Sequence, residues 1–516
     1  MKLTDSTLLA RILQCALVAV LALSATPVHA QDQTTDFSPI VVNGSLPFDI
    51  DMQIHDMGSA TMPTLQSYAY GQVGDDYIFV SGRTNGLHNF SGNGTLNFPP
   101  VYQNTDIWII NPVTQQTWSR SLSDASSGLN QAQVDSLSAT STEFYQSGST
   151  LYVAGGYLYD SGTSNFTTSS NLTALDLPAV DNWVKTGIGS LASSFRQTSS
   201  PITQVTGGSM TQINGQTLMT FGQSFEGGYG SANFTQTYTE QVRTFTINDN
   251  GTALSITPGT NSTMDADAYH RRDLNVVPSL TPNGTNGSLT PGLVALSGVF
   301  YNGSGVYTVP VEITANGTPS MADPNAPGTF KQGMNNYQSP VINLYDTATN
   351  TGHAILFGGI SLHYYNYGNN TFTFDDEAPF ISQTTDVTRD ATGNFAQYLL
   401  SANAGFPSNL TWSNGTANGT LLFGAGADFL PASGLPMLDN GMIDLQSLTG
   451  NTLLGYIYGG IVSQVGDTSD PATQTTASSY IFDVYYTPSA IPEPAMMAWL
   501  IGISSGLLAF ARKRGW

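Results

Sequence analysis

The sequence predicts an all-β protein, and three observations support that fold class. Six short apolar or aromatic runs of β-favouring residues each stop at glycine. The long intervals between the runs are rich in Asn, Gly, Ser, Thr and Pro, which is typical of turns and surface loops. A hydrophobic fraction of 40%, with 24 Tyr and 24 Phe, is ample for a buried core. We find no convincing amphipathic helix between residues 31 and 490.

The six runs recur at long intervals along the chain. They occupy residues 77–82, 151–156, 218–222, 293–298, 354–359 and 454–460. Because their closing glycines are 61 to 101 residues apart, the pattern indicates repeated units such as blades or solenoid turns. The longest interval also contains the run 421–426, which is a candidate for the core of a seventh unit.

Two of the units continue in the same way after their glycines. In the first, the strand-like segment 104–112 leads into a turn and then Trp118, and in the second, residues 172–177 precede Trp183. This order resembles the kelch family of β-propellers, whose repeat is a hydrophobic strand ending in Gly-Gly and then a strand and turn closed by an aromatic residue. The resemblance implies a kelch-like β-propeller of six or seven blades over residues 31–489, with long loops that carry binding surfaces. A β-sandwich or β-helix array is the alternative.

A propeller also needs its two chain ends joined within one blade. We expect a strand within residues 37–54 to pair with residues 480–486 for this purpose. Such a pairing would bring the beginning of the body beside its last strand.

Residues 1–30 have the features of a secretory signal peptide. Lys2 and Arg11 precede an apolar stretch over residues 12–25, and Val28-His29-Ala30 supplies a small-x-small cleavage site. The single cysteine of the chain lies inside this stretch. The exported body is therefore expected to contain neither disulfides nor thiol chemistry.

Residues 490–516 combine a proline box, an apolar segment and a basic end. Pro492, Glu493 and Pro494 precede 17 uncharged residues, about the lower limit for a helix that spans a hydrocarbon core of roughly 30 Å. The basic cluster that follows is expected to stay cytoplasmic, and it consists of Arg512, Lys513 and Arg514. The order resembles the PEP-CTERM sorting signal of bacterial envelope proteins. That resemblance implies an exosortase-type partner, anchorage in the inner membrane before processing, and a final location at the cell surface or outside. An ordinary tail anchor is the alternative.

The charge balance limits the partners of the body. The formal net charge is -22 at pH 7, and residues 31–490 carry 9 basic against 34 acidic side chains. Nucleic acids and anionic lipid surfaces are repelled by such a chain. Cations, neutral sugars and proteins remain as ligand classes.

The most unusual polar cluster is His270, Arg271, Arg272 and Asp273. It holds two of the nine basic residues of the body, directly before a strand-like segment. An arginine fork there is suited to an anionic group such as a uronic acid. The favoured alternative is a structural role, in which the arginines pair with Asp265, Asp267 or carboxylates of a neighbouring unit.

Metal and enzyme motifs give little support to catalysis. His353 and His363 lack an apparent third ligand, so no metal site is predicted, and calcium at acidic loops such as residues 375–377 is the one cofactor left open. Zincin and phosphate-loop motifs are absent from the sequence, and the single Gly-x-Ser-x-Gly match, at 502–506, lies inside the apolar tail.

These observations favour a binding module for exopolysaccharide or envelope proteins over an enzyme. One alternative is a propeller-type glycan lyase or hydrolase that uses the 270–272 cluster and a tyrosine in a central pocket. Another is a structural protein of a biofilm matrix. Convergence of the cluster with acidic or tyrosine side chains at one cavity would strengthen catalysis, whereas burial of the cluster between units would weaken it.

Overall fold

The computed structural model describes residues 36–42, 44–283, 288–301, 305–408, 410–412 and 421–489. This part of the chain is all-β, as predicted, with 44% of residues in strands and 10% in helices. The predicted signal peptide at 1–30 and the predicted sorting segment at 490–516 lie outside the described residues. Within the described ranges, no helix is long and apolar enough to cross a membrane.

Six antiparallel sheets of four strands, which we name sheets I to VI, follow one another along the chain. Sheet I consists of β3 (Ala69–Val73), β4 (Asp76–Val80), β5 (Asp106–Asn111) and β6 (Gln116–Ser121). Sheet II consists of β7 (Glu143–Ser147), β8 (Thr150–Ala154), β11 (Asn171–Asp176) and β12 (Phe195–Ser199). Sheet III consists of β13 (Ser209–Ile213), β14 (Gln216–Thr220), β17 (Val242–Asp249) and β18 (Leu254–Pro258). Sheet IV consists of β19 (Asn275–Asn283), β20 (Ser288–Leu296), β23 (Val311–Thr314) and β24 (Pro319–Met321). Sheet V consists of β25 (Val341–Asp346), β26 (Thr351–Phe357), β29 (Thr384–Arg389) and β30 (Phe395–Leu399). Sheet VI consists of β31 (Ala427–Pro431), β33 (Thr452–Gly459), β36 (Ile481–Pro488) and β2 (Phe48–Ile54). Two short strands, β1 (Ile40–Val42) and β32 (Ile443–Asp444), add parallel edges to sheet V.

The glycine-ended runs form the second strand of every sheet, which confirms their prediction as strands. They correspond to β4, β8, β14, β20, β26 and β33. Each run lies inside its sheet, and its alternate side chains enter apolar clusters on opposite faces of that sheet, so both faces are buried. This central position explains why the runs are apolar throughout instead of alternating.

Sheet VI joins the two ends of the described body. Strand β2 pairs antiparallel with β36, with Phe48 opposite Pro488 and Ile54 opposite Phe482. The predicted pairing of the two ends is therefore confirmed. The earlier part of the predicted segment behaves differently, because Ile40–Val42 pairs with β30 of sheet V.

Each sheet packs against the next through a cluster of buried apolar side chains. Such contacts join sheets I and II, II and III, III and IV, IV and V, and V and VI. A further cluster returns from sheet VI to sheet I, where Tyr456 and Tyr458 pack against Tyr77 and Phe79. Each fully buried large apolar side chain contributes roughly 1.5–3 kcal/mol, so these interfaces hold the sheets together.

An amphipathic helix, which we did not predict, covers the edge between sheets I and II. It spans Leu177–Thr186 and begins at Asp176, whose carboxylate accepts a hydrogen bond from the Ala179 amide. Its buried face includes Val180 and Trp183. Trp183, expected to close a blade strand, lies on this helix and donates from Nε1 to the Ser126 hydroxyl at 3.0 Å. Ten residues with a proline in the first turn give too short a pattern to stand out in the sequence.

The long connections between the second and third strands carry the remaining structure. Their strands are β9 (Tyr157–Asp160), β10 (Asn165–Thr168), β15 (Gln223–Glu226), β16 (Thr235–Tyr238), β21 (Val299–Tyr301), β22 (Gly305–Val306), β27 (His363–Asn366), β28 (Thr371–Phe374), β34 (Ile461–Ser463) and β35 (Thr475–Ala477). Among the described residues, the other helices lie in these connections or between successive sheets. They are Gly94–Asn97, Gln131–Leu137, Ala266–Tyr269 and Pro471–Gln474, with 3₁₀ turns at Pro100–Tyr102, Leu191–Ser194, Pro201–Thr203, Ala402–Ala404 and Leu445–Ser447.

The candidate seventh unit does not form a sheet in the described residues. Leu422 makes an isolated bridge to Ser463, and Phe423 is buried in the cluster between sheets V and VI. The run is apolar because it fills the core beside an existing sheet.

Candidate functional site

A cavity of about 530 Å³ lies where the long connections of all six sheets converge. Two equivalent positions recur in its wall from sheet to sheet. The first is the residue directly after the glycine that ends the second strand, and all six residues at this position line the cavity: Arg83, Tyr157, Gln223, Val299, Ile360 and Ile461. The repeated backbone therefore presents one side chain per sheet to a common space.

The second position comes shortly before the first strand of each sheet. Backbone bridges connect it to the first position in sheets I to V, and the bridged residues that line the cavity are Gln66, Thr140, Thr206, Arg272 and Tyr337. In sheet VI, Ala425 occupies this place and accepts a hydrogen bond from the Ile461 amide. The same local geometry thus recurs six times with different side chains.

A cycle of hydrogen bonds links the six sheets at or beside the residue that directly follows the second position. These residues all have positive φ: Ser67, Ser141, Gly207, Asp273, Gln338 and Gly426. The hydrogen bonds, 2.8–3.2 Å long, are given donor first, beginning with the one that joins sheets I and VI. They are Ser67 N to Gly426 O, Ser141 N to Ser67 O and Thr206 Oγ1 to Ser141 O. The other three are Asp273 N to Gly207 O, Gln338 Nε2 to Asp273 Oδ1 and Gly426 N to Gln338 O. Every sheet is therefore tied to the next beside the cavity, and sheet VI is tied back to sheet I.

The six side chains at the first position divide into a polar set and an apolar set. Sheets I to III contribute Arg83, Tyr157 and Gln223 at the first position, whereas sheets IV to VI contribute Val299, Ile360 and Ile461 there. Such a division suits a ligand with polar groups on one edge and an apolar face on the other.

Arg83 is a buried cation with donor capacity to spare. Its side chain is 3% exposed, and it donates from Nε to the Asn85 amide oxygen and from Nη2 to the Pro99 carbonyl, both at 2.9 Å. The guanidinium lies 5.2 Å from the centre of the Phe98 ring. Burial lowers the pKa of Arg83 to about 10, which leaves it charged near neutral pH. No described carboxylate forms an ion pair with it.

Arg272 approaches the cavity from sheet IV. Arg272 is 7% exposed, and its guanidinium lies 4.6 Å from the centre of the Phe300 ring. Its Nε atom lies 3.5 Å from Asp273 Oδ2, and this atom forms no hydrogen bond with any described residue. Burial acts to lower the pKa of Arg272, but Asp273, Tyr238 and Tyr229 together outweigh it and the pKa is raised. Burial also raises the pKa of Asp273, against the opposing effect of Arg272.

His88 lies within the field of both arginines. Burial lowers its pKa to about 4, and the charges of Arg272 and Arg83 add to that effect. Its ring stacks on Phe98 at 4.8 Å between centroids. At neutral pH His88 is therefore uncharged, and the positive charge on this side of the cavity comes from the two arginines.

Three carboxylates line the cavity from the connections of sheets V and VI. They are Asp376, Glu377 and Asp467. Burial raises the pKa of Asp467, and the neighbouring Asp375 and Glu377 raise it further. A carboxyl whose pKa is raised by burial and by neighbouring carboxylates is a candidate general acid.

The structure divides the cluster predicted at residues 270–273. Arg272 and Asp273 line the cavity, whereas His270 stacks on Tyr238 at 3.5 Å and pairs with Glu240 at 2.7 Å. Arg271 is wholly buried between sheets III and IV.

The polar contacts of Arg271 are backbone carbonyls instead of the expected carboxylates. Its guanidinium donates to the oxygens of Ala268, Ser297 and Val309 at 2.8–3.0 Å. Asp265, considered from the sequence as its partner, instead caps the helix Ala266–Tyr269. Arg271 therefore supports the fold, and Arg272 faces the cavity.

The described residues contain no group of three or more His, Cys, Asp or Glu arranged to hold a metal ion. His353 pairs with the buried Asp386 at 2.7 Å. His363 lies 3.2 Å from the Gly333 carbonyl. The two histidines thus have local partners.

Sequence reasoning missed Arg83, Tyr157 and Gln223. Each directly follows the glycine of its run, in Gly82-Arg83, Gly156-Tyr157 and Gly222-Gln223. Aligning the six runs on their glycines places these residues at one equivalent position. That alignment is the signal that identifies them.

Comparison with known proteins assigns no family. No family model matches the chain, and no curated protein matches it. One similar solved structure, titled "Structure of YjhT", has 10% sequence identity and a TM-score of 0.39, over 83% of this chain and 99% of that one.

Proposed function

We propose that the body is a six-bladed, kelch-like β-propeller whose central cavity binds an acidic sugar residue of a bacterial exopolysaccharide. Six successive four-stranded sheets, packing of sheet VI on sheet I, and the cycle of hydrogen bonds support the propeller. The N-terminal strand that completes sheet VI is a common way to join the ends of such a ring. The glycine-ended second strands agree with the kelch resemblance.

Export and surface sorting belong to the same proposal. They rest on the sequence features of residues 1–30 and 490–516, which imply processing by an exosortase-type enzyme. An acidic body without thiol chemistry suits an external location, where soluble polysaccharide is available as a ligand.

The observation that carries the proposed function is the pair of buried arginines at the cavity. Arg83 belongs to sheet I and Arg272 to sheet IV, about 190 residues apart in the sequence. Both are buried, and neither forms a hydrogen bond with a carboxylate among the described residues. Guanidinium groups form their strongest hydrogen bonds with planar anions such as a carboxylate. Arg83 has no ion pair among the described residues and Arg272 has only the 3.5 Å approach to Asp273, so a ligand anion would stabilise both buried charges.

The remaining wall suits a sugar ring. Gln66, Gln223 and Tyr157 offer polar groups to hydroxyls, and Val299 and Ile461 offer apolar contact to a C–H face. The volume of about 530 Å³ falls within the range of small-molecule sites. A uronic acid has both the carboxylate and the hydroxyls that this wall can recognise.

The test is titration calorimetry of the purified full-length chain with glucuronic acid and, for comparison, glucose. We expect saturable binding of glucuronic acid only. Arg83→Gln and Arg272→Gln should each weaken it at least about tenfold, because each removes a charge-assisted hydrogen bond. Arg389→Gln is the control, since Arg389 pairs with Glu312 outside the cavity.

Equal binding of glucose and glucuronic acid, or unchanged affinity in both cavity variants, would contradict the proposal. A folded chain that binds no acidic sugar would favour the other roles, a scaffold of the biofilm matrix or a binder of envelope proteins. Circular dichroism of each variant separates loss of binding from loss of fold.

A second candidate, a glycan hydrolase or lyase, is favoured by the carboxylates at the cavity. Asp467 with its raised pKa and Glu377 supply an acid and a base on one side of the pocket. The assay is chromatography of xylotriose capped with glucuronic acid after incubation with the chain. Release of glucuronic acid or of an unsaturated product, abolished in Asp467→Asn, would establish an enzyme. An intact oligosaccharide would leave binding as the function.

A further inference from the structure

Two more cavities continue from the central one across sheets V and VI. The first, of about 350 Å³, shares Phe380, Gly466 and Asp467 with the central cavity. The second, of about 500 Å³, shares Ser382 and Gln383 with the first. Because neighbouring cavities share wall residues, the three adjoin one another in a row that we name the groove, and the arginines line the first of them.

The outer two cavities have aromatic and polar walls. Tyr364 lines the first and Tyr367 the second, and Tyr367 is 54% exposed. Aromatic rings that present a free face pack well on the C–H face of a sugar ring, and backbone and amide groups nearby can bind its hydroxyls.

The aromatic wall is held in place by the hairpin that carries it. Strands β27 and β28 pair over four residues each, and Gln383 is hydrogen-bonded to both the amide and the carbonyl of Tyr365. The Tyr365 ring then contacts the Tyr367 ring edge-on, with centroids 5.1 Å apart. Tyr367 is therefore positioned before any ligand arrives, which limits the entropy lost on binding.

The outer cavities differ from the central one in their basic residues, because the central cavity holds two arginines beside its carboxylates. Their charged wall residues, among those described, are Asp375, Asp467 and Asp51, with no Lys, Arg or His. An anionic sugar is repelled there, whereas a neutral sugar can donate its hydroxyls to the carboxylates.

We propose that the groove binds the end of a glycan chain whose terminal residue is acidic and whose next residues are neutral. This inference rests on the proposed function, and it adds the sequence of sugar types along the chain. The acidic residue occupies the central cavity, and the neutral residues follow past Asp467 toward Tyr367.

The experiment compares four probes by titration calorimetry on the full-length chain. They are glucuronic acid, xylotriose capped with glucuronic acid, galacturonic acid and trigalacturonic acid. We expect the capped xylotriose to bind at least about tenfold tighter than glucuronic acid. Trigalacturonic acid should gain nothing over galacturonic acid, because its second and third carboxylates would face the aspartates.

Two matched variants locate the gain. Tyr367→Ala should abolish the advantage of the capped xylotriose and leave glucuronic acid binding unchanged. Phe374→Ala is the control, because Phe374 is a 40% exposed ring on the same hairpin that lines none of the three cavities. It should change neither affinity.

The outcomes separate this inference from the function on which it rests. If glucuronic acid binds and the neutral extension adds no affinity, or if Tyr367→Ala and Phe374→Ala behave alike, the groove is not a glycan site and the central cavity stands alone. If trigalacturonic acid gains as much as the capped xylotriose, the charge argument is wrong. If no probe binds, the proposed function itself fails.

Discussion

Replacing Arg271 with methionine should destabilise the protein far more than the same replacement of its neighbour Arg272. Arg271 is wholly buried, its guanidinium donates to three backbone carbonyls, and it lies 4.2 Å from the centre of the Tyr307 ring. Arg271→Met keeps most of the apolar stem and removes every one of these donors. The three carbonyls would then be left without these partners.

The magnitude follows from those carbonyls. A buried polar group that loses its partner costs about 1–3 kcal/mol, and removal of one side of a buried charged network typically costs about 3–5 kcal/mol. Release of the buried charge offsets part of the sum, so we expect about 3–5 kcal/mol for Arg271→Met. Arg272→Met loses two ring contacts and a 3.5 Å approach to Asp273, which we place at about 1 kcal/mol.

Urea denaturation followed by tryptophan fluorescence measures both variants. Arg271→Met should shift the midpoint well below that of the unchanged chain, and Arg272→Met should shift it little. Similar midpoints for the two variants would refute the division of the cluster into a structural residue and a cavity residue. So would loss of stability in Arg272→Met alone.

Three further predictions concern the fold. Burial raises the pKa of Glu143 to about 8, so the native state holds a proton that the unfolded state releases. The stability of the protein, measured as its melting temperature, should therefore fall as pH rises from about 4.5 to 8. Glu143→Gln should make that fall less steep. Asp249 accepts two 2.7 Å hydrogen bonds from Arg196, which lower its pKa despite burial. Asp249→Asn should therefore lower the free energy of unfolding by about 1–3 kcal/mol at pH 7, measured by urea denaturation. The loss should become smaller as pH falls below 3.8, the pKa of this group in the unfolded chain. Ile50→Ala, on the strand that completes sheet VI, should cost about 2–5 kcal/mol in the same urea assay, against little for the 40% exposed Ile54→Ala.

Contrary outcomes are distinct for each. A melting temperature of Glu143→Gln that depends on pH as steeply as before would place the titrating group elsewhere. An Asp249→Asn effect that persists undiminished in acid would mean that the carboxylate charge contributes nothing. Equal costs for the two isoleucine variants would indicate that the N-terminal strand is not packed as described.

The strands were predictable because their signals are local. A β-favouring run that stops at glycine specifies a buried strand and its end within six residues, and all six runs occupy the second strand of a sheet. The pairing of the N-terminal strand with β36 followed from the need to join the ends. The seventh run failed because apolar residues that fill a core beside a sheet look the same as a strand.

The cavity was harder to predict because its residues are far apart in sequence. Arg83 and Arg272 line one cavity only when six sheets come together, and no local pattern marks a single arginine in a loop. Neighbouring Arg271 and Arg272 look equivalent in the sequence, yet one is buried between sheets and the other faces the cavity. Side-chain direction at such turns depends on the backbone, which the sequence does not display.

The most direct test of the account is a crystal structure of the full-length chain grown with glucuronic acid. We predict six blades in a closed ring and a sugar in the central cavity, with its carboxylate about 3 Å from guanidinium nitrogens of both Arg83 and Arg272. A sugar bound elsewhere, or a carboxylate turned away from both arginines, would contradict the central claim.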